Sequence, residues 1–500
     1  MRYFLIFVCM LMLLPSYSLP QSTPVPDTSL VNSAIKKFSA KDPFDRGEAI
    51  ELLAGFGNTA VDNLLSALKD TNDDVRSCAA IALGKIAPQG TKAIPFLTDA
   101  LKDKNSDIRW YSALALGRFK SGASSAVTAL VDAMNDPERD VRWAAYTSLL
   151  KIDKAAINKA PDFSEVIKTI GTLTPQLMKA LKVPGVSVSL IKDHKVAWVK
   201  SFGVSGAANQ KPVNDKTMFE ACSMSKPVFS FIVLTLVDQG KFDLDKPLYE
   251  YLPEEFAGDN EDYAKLITAR MILTHTSGMP NWRKGGDETG GPLPLLFKPG
   301  TKFNYSGEGM FYLQRVVERI TRQPLEVYAK EHLFDKLGLS STSFTWASAL
   351  DPQIATGHDT AGRPNERSKY THANAAYTLI TTPEEYAKFI IEIMMHDNPA
   401  GVSLSEKMVN EMTSHQVRVD TREVTDRPGR AMGLFSFRGL GWGIDSTATG
   451  NIIYHSGSNQ SGFRCYSQFN MTEGSGIVIM TNSANGSDLW VKLISKVGDF

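Results

Sequence analysis

A serine with a lysine three residues further on, Ser223 and Lys226, is a pair whose types and spacing could do covalent chemistry. On the first turn of a helix the two side chains share a face. A partly desolvated lysine amine has a lowered pKa and can take the proton of a serine hydroxyl, which then attacks an acyl carbonyl. The spacing alone selects nothing, because Ser33–Lys36, Ser66–Lys69, Ser148–Lys151 and Ser189–Lys192 share it. Two of those fall in a helical repeat and one in a hairpin, where a solvated serine and lysine suffice. Ser223 differs in context. Met218 to Val228 reads as a loop-to-helix junction, and an apolar run from Phe229 to Leu234 follows it.

The elements around the pair read as strands drawn from both ends of one region. Val186 to Leu190 alternates, Lys192-Asp193-His194 makes a polar turn, and Val196 to Val199 answers it as a hairpin. Cys465 to Phe469 and Ile477 to Met480 form a second hairpin, and the long stretch between is mostly helix and loop. An antiparallel sheet built from both ends, with a helical insertion, fits this order.

Upstream, self-similarity governs. Asp74-Val75-Arg76 recurs as Asp107-Ile108-Arg109 and Asp140-Val141-Arg142, each step being 33 residues. Each copy reads as two amphipathic helices, the first apolar at Val61, Leu64, Leu65 and Leu68, the second Ala-rich at Ala79, Ala80, Ile81 and Leu83. One pair cannot bury its apolar face, so pairs stack into a solenoid. A shorter copy from Asp45 to Gly57 reads as a capping unit. The recurrent arginine is expected to pair with the aspartate or with carbonyls of the next repeat.

Basic and acidic residues cancel at 54 each, so no global field favours nucleic acid or an anionic membrane. Arg2, an apolar run from Tyr3 to Leu14 and the small residues to Ser18 read as a secretory signal peptide, too short for the ~20 residues a span needs. Export, periplasmic or secreted, is therefore expected, with no integral membrane segment after cleavage. Cys78, Cys222 and Cys465 would remain, too few for a disulfide framework. Cys222 reads as a small buried filler beside the serine. The histidines show no metal-ligand spacing and no Gly-rich phosphate loop follows a strand, so neither metal nor cofactor is expected. The expected organisation is a signal peptide at 1–18, a linker or leading helix at 19–43, a repeat domain at 44–158 and a hydrolase domain at 162–500.

From about residue 164 to 500 the sequence resembles the serine β-lactamase superfamily, in its class C β-lactamase, DD-peptidase and esterase branch. The motifs that carry this are Ser223-Met224-Ser225-Lys226, Leu273 to Gly278, Phe297-Lys298-Pro299-Gly300-Thr301 leading into Tyr305, Gly439 to Gly443, His455-Ser456-Gly457-Ser458 and Val478 to Ser483, in the expected order. The repeats resemble short HEAT-like units, which implies a protein partner and no chemistry. The implied fold is an α-solenoid followed by a β-lactamase/transpeptidase-like α/β domain, an antiparallel sheet flanked by helices with a helical subdomain. The resemblance makes Ser223 the nucleophile, Lys226 its base and Tyr305 the proton relay. The backbone N–H groups of Ser223 and Ser458 become the oxyanion hole, and His455, Ser456 and Gly457 the substrate-binding strand. Trp282 and Trp442 line the acyl pocket or pack in the core. Arg283 to Gly286 and on to Pro292 reads as a mobile loop at the mouth of the site.

Two departures bear on the substrate. The family's Tyr-x-Asn is Tyr305-Ser306-Gly307 here, without the amide that grips an acylamido side chain, and its Lys-Thr-Gly is His455-Ser456-Gly457, without the fixed charge. Both weaken recognition of a penicillin while leaving acylation intact. An acyl-enzyme mechanism on a small-molecule or peptide ester or amide is the favoured expectation. A dedicated β-lactamase, or a binding platform joined to an interaction solenoid, is the alternative.

Overall fold

A computed structural model of the chain describes residues 28–157, 163–208, 210–253, 256, 261–283, 292–397, 401–420, 435–447 and 450–497. The expected signal peptide and the Gly-rich stretch 284–291 lie outside the described residues. Eight helices come first: α1 (Thr28–Lys36), α2 (Pro43–Gly55), α3 (Val61–Ala67), α4 (Asp73–Ile86), α5 (Ile94–Ala100), α6 (Ser106–Arg118), α7 (Val127–Ala133) and α8 (Arg139–Ile152). The pairs α3/α4, α5/α6 and α7/α8 are the three repeat copies. Leu64, Leu65 and Leu68 of one layer and Ala79, Ala80 and Leu83 of the next are buried in one continuous cluster with their counterparts. The same cluster takes in Val31, Ala34 and Phe38, so part of the segment expected to be a linker or leading helix is helix packed onto the stack.

The recurrent arginines explain why the copies stay in register. Arg76 donates to both carboxylate oxygens of Asp103 in the next copy, at 2.8 and 3.1 Å, and to the Asp70 carbonyl of its own turn at 2.8 Å. Arg109 repeats this with Asp136 at 2.7 and 2.9 Å and with the Asp103 carbonyl at 2.9 Å. Carboxylate and carbonyl are thus both satisfied, but the carbonyls belong to the arginine's own copy. Arg142 has no further copy to meet, and its guanidinium donates instead to Glu165 on α9 (Ser164–Leu181). Beside it, Trp143 is buried in a cluster with Val166 and Ile170 of α9. The first helix of the second domain therefore closes the end of the solenoid.

That domain is built on one antiparallel sheet. Its strands are β1 (Gly185–Lys192), β2 (Lys195–Gly203), β5 (Val417–Asp420), β6 (Phe435–Arg438), β7 (Gly443–Thr447), β8 (Gly450–Ser458), β9 (Arg464–Asn470) and β10 (Ser475–Thr481), in the order β2-β1-β10-β9-β8-β7-β6-β5. The small pair β3 (Phe219–Glu220) and β4 (Ile380–Thr381) stands apart. The β1–β2 hairpin turns at Asp193 and His194, both with positive φ (51° and 59°), the backbone that a tight two-residue hairpin requires. Alternation sorts the side chains of β1 and β10. Val186, Val188, Leu190, Ile477 and Ile479 face α9 and the helix Gly486–Val497, while Val478 and Met480 face the helical core on the other side. That second face carries the site. Among the described residues no helix is long and apolar enough to cross a membrane.

Candidate active site

Strand β3 delivers the chain into a tight 3₁₀ turn, Cys222–Met224, which opens α10 (Ser225–Asp238). The turn is held from several sides. Ala221 N–H donates to the Leu379 carbonyl at 2.8 Å. Ser225 Oγ donates to the Cys222 carbonyl at 2.6 Å and accepts from Leu379 N–H at 3.0 Å. Tyr386 OH donates to the Met224 carbonyl at 3.0 Å. Cys222 sits at φ 56°, a left-handed conformation that a non-glycine residue rarely takes, so the surroundings over-determine this turn. Its thiol is fully buried and donates to the Glu220 carbonyl at 3.3 Å, in keeping with a filler. α10 is apolar almost all round and buried from Val228 to Leu234, which anchors the turn in the core.

Lys226, one turn on, is 1 % exposed. Its Nζ lies 3.1 Å from Ser223 Oγ and donates to the Ala376 carbonyl at 2.8 Å. Burial disfavours the ammonium form and lowers its pKa to about 7. Tyr305 places its ring 4.7 Å from the same nitrogen. The tyrosine is fixed by its neighbours in sequence: Asn304 Nδ2 donates to the Met279 carbonyl at 2.8 Å, and Ser306 Oγ caps the helix Gly307–Thr321 by accepting from Gly309 N–H at 2.9 Å. The His275 ring lies 4.4 Å from the Tyr305 ring. His275 accepts at Nδ1 from Ser306 N–H at 3.2 Å, and burial holds its pKa well below the usual range, so the imidazole beside the tyrosine is neutral.

Ser223 and Lys226 open on a cavity of about 490 Å³, which Ser458 also lines at the end of β8. Asn281, Trp282, Tyr370, Tyr377, Asn459 and Ser461 complete much of its wall. The remainder of the expected substrate strand lies behind this surface. His455 is 3 % exposed, and Gly457 is buried. The His455 Nδ1–H donates to the Ser456 carbonyl at 2.6 Å, and burial with the Lys226 and Arg438 charges lowers the His455 pKa to about 3. The imidazole is therefore neutral and offers no charge to a substrate. Ser456, partly buried, is likewise absent from the cavity wall among the described residues. Trp442, expected at the acyl pocket or in the core, is 1 % exposed and packs edge-on against Phe469 at 5.1 Å. It is a core residue, because the start of β7 turns it into the cluster that holds Leu440, Ile444 and Phe469.

Gly457 nevertheless matters to the site. A Cβ there would lie 2.2 Å from the Ala221 carbonyl oxygen and 2.9 Å from Cys222 Cβ, so only a bare backbone lets β8 approach the Ser223 turn. Gly457→Ala is expected to push β8 away and to shift the Ser458 N–H from the place where an oxyanion would form. Removal of one such donor typically costs about 10²-fold in kcat. Steady-state kinetics on an ester substrate read the loss, with thermal unfolding as the check on folding.

Tyr370, Tyr377, Asn459 and Ser461 of the wall carry no signal in a single sequence. Glu220, buried three residues before Ser223, accepts on one oxygen from Tyr370 OH at 3.0 Å, Asn459 Nδ2 at 2.8 Å and Ser461 Oγ at 2.7 Å. Burial raises its pKa and the three donors oppose that rise. Trp282 is set by its flanks. Asn281 accepts at Oδ1 from Gly307 N–H at 3.0 Å. Arg283 donates from its N–H and Nε to Glu308 Oε1 at 2.9 and 3.0 Å and from Nη2 to Oε2 at 2.8 Å. Glu308 is completely buried. Arg283, expected to begin a mobile loop, is thus pinned by a buried ion pair; the remainder of that loop up to residue 291 lies outside the described residues. Among the described residues no group of three or more His, Cys, Asp or Glu could hold a metal ion.

A family model for beta-lactamase matches residues 171–493, and one for HEAT repeats matches 31–117 and 94–163. A beta-lactamase of Pseudomonas fluorescens is 27% identical over 245 residues, which is 47% of this chain and 66% of that protein. Esterase EstB of Burkholderia gladioli is 25% identical over 210 residues, 37% of this chain and 53% of the esterase. The chain thus spans about half to two thirds of the length of these curated relatives. The solved structure of D-alanine carboxypeptidase AmpC from Burkholderia cenocepacia superposes on 67% of this chain and 99% of its own, with a TM-score of 0.55 and 20% identity, a likeness of fold. The Ser223–Lys226 pair with its buried lysine, the sheet order around it and the match across 171–493 together place this chain in the beta-lactamase family of serine hydrolases, with HEAT repeats ahead of the hydrolase fold.

Proposed function

We propose that the protein is an exported serine hydrolase that cleaves an ester or amide through an acyl-enzyme at Ser223, with esterase- or peptidase-like specificity. One observation carries the reading: a fully buried amine, with a pKa lowered to about 7, 3.1 Å from the Ser223 hydroxyl. Near neutrality about half of that amine is unprotonated and can accept the Ser223 proton as Oγ bonds to the acyl carbon. The tetrahedral oxyanion would lie against the N–H groups of Ser223 and Ser458. Its collapse breaks the bond to the leaving group, which takes a proton relayed from Lys226 through Tyr305. Water then attacks the acyl-enzyme, gives up a proton along the same path and releases the acid. Gly307 and the neutral His455 favour an ester or peptide over a penicillin, since neither supplies the amide nor the charge that a penicillin would engage. Names among the relatives include both a beta-lactamase and an esterase. The charged and apolar N-terminus supports export, and the repeats support a protein partner outside the active site.

The test is covalent labelling of the full chain by a fluorophosphonate, with hydrolysis of a panel of esters, peptides and β-lactams. Labelling and turnover are expected in the wild type and lost in Ser223→Ala. Equal inertness of both proteins across the panel would replace catalysis with a binding role.

A further inference from the structure

The resemblance puts an asparagine amide where this chain has Gly307, and the structure shows what occupies that room. A Cβ on Gly307 would lie 2.5 Å from Trp282 Cζ2, 2.6 Å from Cη2 and 3.0 Å from Cε2. Real Cβ contacts are never that close, so the indole and any side chain at 307 exclude each other. The φ of Gly307 is not positive, so space and not backbone conformation bars an asparagine. The indole is no passing occupant. Its two neighbours are tied to the start of the helix Gly307–Thr321, Asn281 to Gly307 N–H and Arg283 to the buried Glu308. On the cavity side Trp282 meets Tyr377 edge-on at 5.5 Å, and Tyr377 meets Tyr370 edge-on at 5.5 Å. Tyr370 is in turn held by Glu220. Three fixed rings therefore form one wall of the cavity that Ser223 opens on, and Ser458, Asn459 and Ser461 lie along it as polar groups.

We infer that Trp282 is the specificity-determining residue of this hydrolase, replacing amide recognition by an aromatic wall that selects acyl groups carrying a planar or aryl substituent. The inference rests on the proposed acyl-enzyme chemistry at Ser223. A ring on the acyl chain would gain area burial and an edge or offset contact with Trp282 and Tyr377, whereas an acylamido group would meet the indole where the family's asparagine amide would stand.

The experiment compares 4-nitrophenyl phenylacetate with 4-nitrophenyl acetate, so that the leaving group cancels. In Trp282→Ala the phenylacetyl-to-acetyl ratio of kcat/KM is expected to fall about tenfold, and in Trp282→Phe to stay within about threefold of the wild type. Gly307→Asn alone is expected to lose most activity, because its side chain displaces the indole. Trp282→Ala with Gly307→Asn has room for the amide and is expected to favour an N-acetylglycyl ester over the phenylacetyl ester. Fluorophosphonate labelling at Ser223 reports whether each variant keeps its catalytic turn. Stoichiometric labelling of Trp282→Ala with an unchanged acyl ratio would overturn the inference and leave the hydrolase reading standing. A wild type that neither labels nor hydrolyses either ester would overturn both.

Discussion

Lys226→Met is expected to lower kcat/KM by about 10⁴-fold, the scale on which activated nucleophiles lose their base. Methionine matches the length of the lysine stem and suits an interior position that is 1 % exposed, so the fold should survive the change. What disappears is the acceptor 3.1 Å from Ser223 Oγ. The wild type should show its own signature of the same group. The ordinary lysine value is 10.5, and burial lowers it to about 7 here. Below that value the amine is protonated and cannot accept, so kcat/KM should fall about tenfold per pH unit on the acid side and level off above about pH 8. His455 and His275 are both held neutral by burial well below this window and add no second limb there. A pH-independent rate across about pH 5 to 8, or a Lys226→Met variant within tenfold of the wild type, would remove Lys226 from the mechanism.

The second large effect is on stability. Arg283→Met is expected to cost about 3–5 kcal/mol, because Glu308 would be left fully buried without the guanidinium that pairs with it. The Arg283 N–H contact at 2.9 Å remains but replaces a cation with a single dipole. Replacing both partners, Arg283→Met with Glu308→Leu, should recover much of the loss, since an apolar pair removes the stranded carboxyl group. A double-mutant cycle by denaturant unfolding, followed on the transition of the hydrolase domain, measures the coupling. Additive losses would mean that the pair contributes no coupling. The same single variant frees one flank of Trp282, so its acyl preference should weaken along with its stability.

Much of this architecture is readable from local pattern. The 33-residue period predicts the stacked pairs because each amphipathic pair is an incomplete core, and the alternation around Asp193 and His194 predicts the β1–β2 hairpin. The Ser223–Lys226 pair is also readable, although four other pairs share its spacing. What separates it is complete burial with its amine against the serine hydroxyl, since partial burial also lowers the pKa of Lys151. Lys36 and Lys69 are exposed, whereas Lys226 is closed off by α10 and the Ala376 segment, and desolvation is what turns a lysine into a base. No spacing encodes that, because the enclosing atoms come from elsewhere in the chain.

The same holds for the walls of the site. His455, Ser456 and Gly457 lie on β8 beside the Ser223 turn, yet Gly457 serves the approach of β8 to Ala221, and His455 faces the interior. Trp442 and Trp282 look alike in sequence, one aromatic beside glycines and one beside a loop. Packing against Phe469 makes the first a core residue, and the buried Arg283–Glu308 pair makes the second a wall of the cavity. The sequence by itself determined the solenoid, the sheet and the spacing of Ser223 and Lys226, because each depends on near neighbours or on periodicity. Only the tertiary structure decided that Lys226 is dry and that an indole stands where the family keeps an amide, because burial and excluded volume are properties of segments brought together from far apart in the chain.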